Sequence, residues 1–385
     1  MTVHLCDTLD LDALRSRTGA KWNYYPADVL PLWVAEMDFP LAEPIKQAIR
    51  DRLDRDDLGY GTSAGIPGLR EAVAERVATR YGYRVAPEQV VGIDSTVHSM
   101  RVAIETLTEP GDEILINTPL YPPFKASILG AGRVAVEVEM VDAGDGYRYD
   151  MAALEAAVTP KTKMLMICSP HNPLGRVFDE QELGEIAAFV LRHDLLLVSD
   201  ELHADLTFDG TQRAIAGLSS EIAERTVTLY GPTKAFNLPG LQVSFILPGS
   251  EELKERLGFG PGKHFGGPNV LAQEAALAAL SQCDDWLNSV LGYLKGNRDM
   301  LAEFVESELP GVTMHPPAAT YLAWLDFRGA GLGDEPAKHL LEHAKVGLNE
   351  GSTFGRGGAG FVRLNFATSS DILRQGLDRI RDALT

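Results

Sequence analysis

The sequence predicts an α/β fold: a mostly parallel central sheet covered by helices, joined to a smaller α+β part built from both chain ends. Three observations predict it. Between about residues 90 and 250, short apolar runs alternate with amphipathic helical patterns, which is how a parallel sheet with helical crossovers is written. The opening segment to about residue 45 is instead rich in Trp, Tyr and Pro. A long helical tract from roughly Val270 to Leu309 then leads into the strand-like runs TYLAWLDF and FVRLNFA. A chain of 385 residues also exceeds what one hydrophobic core usually serves. The expected division is therefore a large part over 46–270 and a small part over 1–45 and 271–385.

In chain order, the strand candidates are VVGI, EILINTP, VAVEVEM, KMLMICSP, LLLVSDE, TVTLYGP and VSFILP; each is a short run rich in β-branched or apolar residues, bounded by turn signals. One intervening helix carries its own start signal. Asp179 can cap it, with Glu182 three residues on. Leu183, Ile186, Ala187, Val190 and Leu191 then fall on one face.

Charge narrows the partners. Lys+Arg total 35 against Asp+Glu 54, a formal net charge of -19, which repels nucleic-acid backbones and anionic lipid surfaces. Small molecules and protein subunits are the expected partners, with no nucleic acid and no membrane. The three cysteines, Cys6, Cys168 and Cys283, show neither disulfide nor metal spacing, which favours a reducing cytoplasm. The opening MTVHLCDTLDLDAL has no secretory pattern. The most apolar stretch is broken by Arg192, His193 and Asp194.

Three motif matches fail on context. Gly355-Arg-Gly357-Gly-Ala-Gly360 spells a dinucleotide fingerprint, but such a fingerprint follows a strand and opens a helix, whereas here a strand comes after it. A flexible approach loop is the expected reading. Gly258 to His264 resembles a P-loop, one residue short between glycines and ending in His. The cluster Asp200-Glu201-Leu-His203-Ala-Asp205 lacks standard metal-ligand spacing, so no metal is expected.

What remains is a set of polar residues in loops after successive strands, the edge where open α/β sheets bind ligands. Lys234 sits in LYGPTKAFNLPG; desolvated there, it would have a depressed pKa and could form a Schiff base. Asp200 ends LLLVSDE, and a carboxylate buried at a strand end needs a cationic or donor partner, such as a protonated pyridine nitrogen. Asn172 lies in a Pro-bracketed turn, and Ser95-Thr96-Val97 opens a helix whose free N–H groups suit a phosphate. Taken singly, each has an ordinary reading: Lys234 as a solvated charge, Asn172 as a turn residue, Tyr121 as a half-buried tyrosine, Arg363 as a strand-edge surface arginine.

Together, Asn-Pro-x-Gly, Ser-Asp-Glu-x-His, Thr-Lys before Phe-Asn-x-x-Gly, and a late Val-Arg-Leu-Asn resemble the fold type I pyridoxal-phosphate enzymes of aminotransferase class I and II. LPLWVAEMDFP, GYG, SPHNPLGRVF, SDELHADL and TKAFNLPGLQ resemble its cystathionine β-lyase branch, the bacterial carbon–sulfur lyases. The resemblance implies that Lys234 carries pyridoxal 5'-phosphate and moves protons at the substrate Cα. It implies that Asp200 keeps the pyridine nitrogen protonated, making the ring an electron sink. Asn172 would meet the ring 3'-oxygen, with His203 where aminotransferases often place Tyr, and Tyr121 would stack on the ring. Ser95, Thr96, Val97 and Thr233 would hold the phosphate, and Tyr60 would reach the phosphate of a neighbouring subunit in a homodimer. Arg363 would pair with the substrate carboxylate.

Three positions depart from the wider pattern. Gln242 stands where general class I aminotransferases have Arg, Gly231 where a hydroxyl residue often binds phosphate, and Glu36 where the branch usually has Asp. Gln242 and His203 both turn the reading from transaminase to lyase. The expected activity is β-elimination from L-cystathionine or a related cysteine S-conjugate, giving a thiol, pyruvate and ammonia. The alternatives are an aminotransferase, a regulatory protein that binds a transcription factor, and a nicotinamide oxidoreductase supported only by the misplaced glycines.

Overall fold

The computed structural model describes residues 6–7, 9–62, 64–258 and 266–384. Seven strands form the main sheet: β1 (Val91–Ile93), β2 (Glu113–Thr118), β3 (Val134–Glu139), β4 (Thr162–Cys168), β5 (Leu196–Asp200), β6 (Thr226–Tyr230) and β7 (Ser244–Pro248). All seven apolar runs read from the sequence are strands. Their order is β1-β7-β6-β5-β4-β2-β3. Strands β2 to β6 pair in parallel, and β7 runs antiparallel to both β1 and β6.

The central strands are apolar throughout because both faces are covered. In β4, Met164, Met166 and Cys168 point into one core with Met100, Val102 and Ile104. Leu165 and Ile167 point the other way, against Leu183, Ile186 and Val190. The helix bearing those last three runs Glu180–Arg192 and opens with the expected capping box between Asp179 and Glu182. One of its predicted positions differs: Phe189 is buried, whereas Leu191 is 40% exposed. Leu183, Ile186, Ala187 and Val190 are buried as expected, and the stripe widens on the Phe189 side instead of the Leu191 side.

The tract after Val270 is two helices, Val270–Gln282 and Asp284–Glu308, interrupted at Cys283 (φ -115°, ψ 19°). A second sheet follows: β8 (Thr313–Met314), β9 (Leu322–Asp326), β10 (Asn349–Glu350) and β11 (Phe361–Asn365), in the order β8-β9-β11-β10 and antiparallel throughout. The chain ends meet where Leu30–Pro31 pairs in parallel with Val346–Gly347. One continuous apolar core reaches from Leu32 and Phe39 through Tyr230 and Phe236 to Leu364 and Ile380, so both ends pack directly on the sheet half.

The glycine fingerprint leads into β11 and not into a helix, as its rejection required. It is not an open, flexible loop, however. Phe354 is buried, and a Cβ at Gly355 (φ +94°) would stand 2.6 Å from Glu137 Oε2 and 2.8 Å from Thr118 Cγ2. The glycine lets backbone pack against the ends of β2 and β3. Of the P-loop-like segment, residues 259–264 lie outside the described residues. Among the described residues, no helix is long and apolar enough to cross a membrane.

Candidate active site

Ligands of open α/β sheets bind at the C-terminal strand edge where the strand order reverses. That reversal falls here at β2 and β4, since the chain leaves β2 toward β3 on one side and returns to β4 on the other. Tyr121 follows β2, Asn172 follows β4, Asp200 ends β5 and Lys234 follows β6. The predicted residues therefore converge through topology.

A wall closes the site from the N-terminal segment Trp33–Phe39. Asn365 Nδ2 donates to the carbonyls of Val34 (2.5 Å) and Glu36 (2.7 Å). Asn237 donates to the carbonyl of Met37 at 2.9 Å and accepts from its N–H at 3.0 Å. The wall is tied down beyond by the buried Lys21–Asp38 pair at 2.8 Å, whose carboxylate also accepts from the Trp22 indole at 2.7 Å. The sequence reading missed these clamps.

The wall supplies the first partner of Lys234, whose Nζ donates to the Ala35 carbonyl at 2.7 Å. Tyr321 Oη donates to the same oxygen at 3.0 Å. Burial, with the Arg363 charge adding to it, lowers the Lys234 pKa to about 8, against the opposing pull of Glu36 and Asp200. An ordinary lysine titrates near 10.4, so the nucleophilic neutral amine is far more abundant here near neutrality. Without a bound aldehyde, labelling of Lys234 by an amine-selective reagent is expected to rise through pH 8 and level off by about pH 9. A midpoint near 10.4 by mass spectrometry of the labelled peptide would contradict this.

Asp200 is buried, and among the described residues only the Leu202 N–H, at 3.1 Å, is bonded to its carboxylate. Burial raises its pKa to about 7, against that N–H and Lys234. It lacks a cationic partner in contact, which is the deficit a protonated ring nitrogen would fill. His203 is buried with Nδ1 unpartnered. Burial, then Lys234 and Arg363, lower its pKa to about 3, so it is neutral. Tyr121 is half-buried, its pKa raised by burial and by Asp200, while Arg363 acts to lower it.

Arg363 is the most informative group. It is 4% exposed, yet no carboxylate among the described residues forms an ion pair with it. Its guanidinium donates to three neutral oxygens: Asn172 Oδ1 at 3.0 Å, Asn349 Oδ1 at 2.7 Å and the Trp33 carbonyl at 3.3 Å. Nε has no partner among the described residues, and the Phe354 ring centre lies 5.0 Å from the guanidinium carbon. Burial lowers its pKa to about 10. Buried cations are normally paired; this one is oriented by neutral groups alone among the described residues.

At the other end, Ser95 caps the helix Thr96–Leu107, accepting from the His98 N–H at 3.2 Å. The Thr96 and Ser244 hydroxyls bond at 3.0 Å, and Ser244 Cα lies 3.3 Å from where a Gly231 Cβ would be. That crowding, with the Val243 carbonyl at 3.1 Å, explains why a hydroxyl residue is absent at Gly231. Val97 is 39% exposed at this helix start and Thr233 is buried beside Lys234. Gln242 is exposed at a left-handed position (φ 55°). Tyr60 is 108% exposed.

Glu201 and Asp205 of that acidic cluster are otherwise engaged, and no metal-holding cluster occurs among the described residues. Ser199 donates to Glu201 at 3.0 Å. Asp205 pairs with Arg76 at 2.7 Å and accepts from the Tyr230 hydroxyl at 2.6 Å. Replacing Asp205 with Ala leaves the buried Arg76 guanidinium with the half-exposed Asp284 at 2.9 Å as its remaining carboxylate and takes the acceptor from the buried Tyr230 hydroxyl, and is expected to cost about 3 kcal/mol in urea unfolding at pH 7. A loss under about 1 kcal/mol would show that the pair is dispensable.

An α/β sheet with a lysine, a buried carboxylate and an unpaired arginine at its switch point defines the class, and the chain belongs to the aminotransferase class I and II family, which it matches over residues 27–380. Within the family, the chain is 36% identical to a cystathionine beta-lyase of Corynebacterium glutamicum, covering 97% of this chain and 99% of that one. It is 34% identical to the cystathionine beta-lyase PatB of Bacillus subtilis, covering 98% and 100%. The crystal structure of a PLP-bound C-S lyase from Staphylococcus hominis superposes with a TM-score of 0.91 at 29% identity, covering 99% and 98%.

Proposed function

We propose that this protein is a pyridoxal-phosphate-dependent carbon–sulfur β-lyase acting on L-cystathionine or a related cysteine S-conjugate. The observation that carries the reading is Arg363, a buried guanidinium without a carboxylate of its own, placed beside a lysine with a depressed pKa. That pair suits an α-amino acid: Arg363 takes the carboxylate bidentately, and the Cα proton faces a lysine able to remove it.

The residues present fit the cofactor. Asp200 offers a carboxylate in need of a cation, Asn172 and His203 flank it, Tyr121 offers a ring face, and Ser95, Thr96, Val97 and Thr233 offer a helix N-terminus and hydroxyls for a phosphate. The cofactor would supply the electron sink that stabilises negative charge at Cα. The chain does the rest. Lys234 holds and returns the proton, with Ala35 O and Tyr321 fixing its approach. Arg363 fixes the carboxylate, and the wall of residues 33–39 keeps water from the reacting carbon. A homodimer, with the exposed Tyr60 reaching a neighbour's phosphate, completes this reading, as does a division into 46–270 against 1–45 and 271–385.

The test is turnover. Incubation with L-cystathionine and no keto acid is expected to release pyruvate and thiol in many equivalents per enzyme. Release limited to one equivalent or less would refute elimination.

A further inference from the structure

A cavity of about 240 Å³ adjoins the site. Its walls include two residues that border the site: Tyr121, and Phe354, whose ring lies under the Arg363 guanidinium. Ile116, Leu120 and Leu129 make much of the rest apolar. Since a water occupies about 30 Å³ of liquid, the cavity has room for an organic group of several heavy atoms.

Two observations give it polarity. Thr118 lines it, 1% exposed, with a hydroxyl that has no hydrogen-bond partner among the described residues; buried polar groups are ordinarily satisfied, so this one is a polar group of the wall left without a bond. Lys125 and Glu137 line it as well, paired at 2.6 Å, with the lysine side chain 47% exposed and the glutamate 12%. The Arg356 N–H also reaches Glu137, at 3.4 Å. Gly355 at the rim packs its backbone closely against both, since a Cβ there would stand 2.8 Å from Thr118 Cγ2 and 2.6 Å from Glu137 Oε2. The apolar wall is therefore followed by a cation and an anion side by side.

We propose that this cavity receives the leaving-group half of the substrate, and that Lys125 and Glu137 select a thiol that carries a second α-amino-acid head. The inference rests on the lyase reading. A substrate with its carboxylate on Arg363 and its Cα at Lys234 extends its Cβ substituent away from both, past Tyr121 and Phe354. The methylene and sulfur portion meets the apolar wall, while a zwitterionic end exchanges the Lys125–Glu137 pair for its own carboxylate and ammonium. That exchange is cheap, because a partly exposed ion pair contributes little by itself. An S-alkyl cysteine occupies the first part only and makes no use of the pair.

The experiment compares kcat/KM for L-cystathionine and S-methyl-L-cysteine in the wild type and in the double variant Lys125→Gln, Glu137→Gln, by pyruvate release. The ratio of cystathionine to S-methylcysteine is expected to fall about tenfold, chiefly through KM for cystathionine. Each preparation supplies its own reference, so a partly misfolded variant does not change the ratio. An unchanged ratio overturns the subsite while leaving the lyase reading intact. A wild type that releases pyruvate from neither compound overturns the lyase reading, and the subsite with it.

Discussion

Replacing Lys234 with alanine is expected to lower kcat for pyruvate release by at least about 10³-fold, since under the proposed function the variant loses both its cofactor anchor and its proton carrier. The wild type is expected to retain visible absorbance through gel filtration, and the same variant to lose it. Its fold should survive: Lys234 lies half-buried against one carbonyl and has no ion-pair partner, so the substitution strands no carboxylate. Far-UV circular dichroism and the urea midpoint separate the two effects. A variant that keeps activity within tenfold of wild type would show that another group moves the proton.

Truncating Arg363 to alanine is expected to cost about 10² to 10³-fold in kcat/KM, expressed mainly in KM, because a buried charge-to-carboxylate contact is lost. Lysine at the same position should recover only part of this, since an ammonium cannot meet a carboxylate bidentately. Asn349→Asp is the sharper companion. Asn349 already touches the guanidinium at 2.7 Å, so an aspartate there would give Arg363 the internal counter-ion it now lacks and compete with the substrate carboxylate. KM should rise although Arg363 remains. A variant that binds amino acids as tightly as wild type would contradict the view that the charge is held in reserve.

Much of this site was legible in the sequence because its signals are local. Asp200 is announced by the strand it ends, Asn172 by its prolines, and Lys234 by a turn between two apolar runs. A parallel sheet then brings such strand ends to one edge without further instruction. The clamps were not legible. Asn237 and Asn365 act on carbonyls of the 33–39 segment some 200 and 330 residues away in sequence, and a backbone acceptor such as Ala35 O leaves no mark in side-chain pattern. Asn349 is likewise defined only by standing opposite Arg363 in the β10–β11 ladder. Among the elements, the break at Cys283 escaped notice because no Gly or Pro marks it, and the antiparallel direction of β7 is set by its connection to β6 and not by composition. Leu191 was misplaced because it sits at the edge of an apolar stripe that Phe189 extends on the other side.

The measurement that bears most directly on the account is the partition of substrate by the purified enzyme supplied with L-cystathionine together with an excess of an α-keto acid. Pyruvate and thiol on one side, and the amino acid made from the keto acid on the other, are counted per enzyme over many turnovers. The account predicts that pyruvate and thiol accumulate together and exceed the aminated keto acid by a large factor. Amination in excess, with pyruvate absent, would contradict it and identify the site as one of transamination.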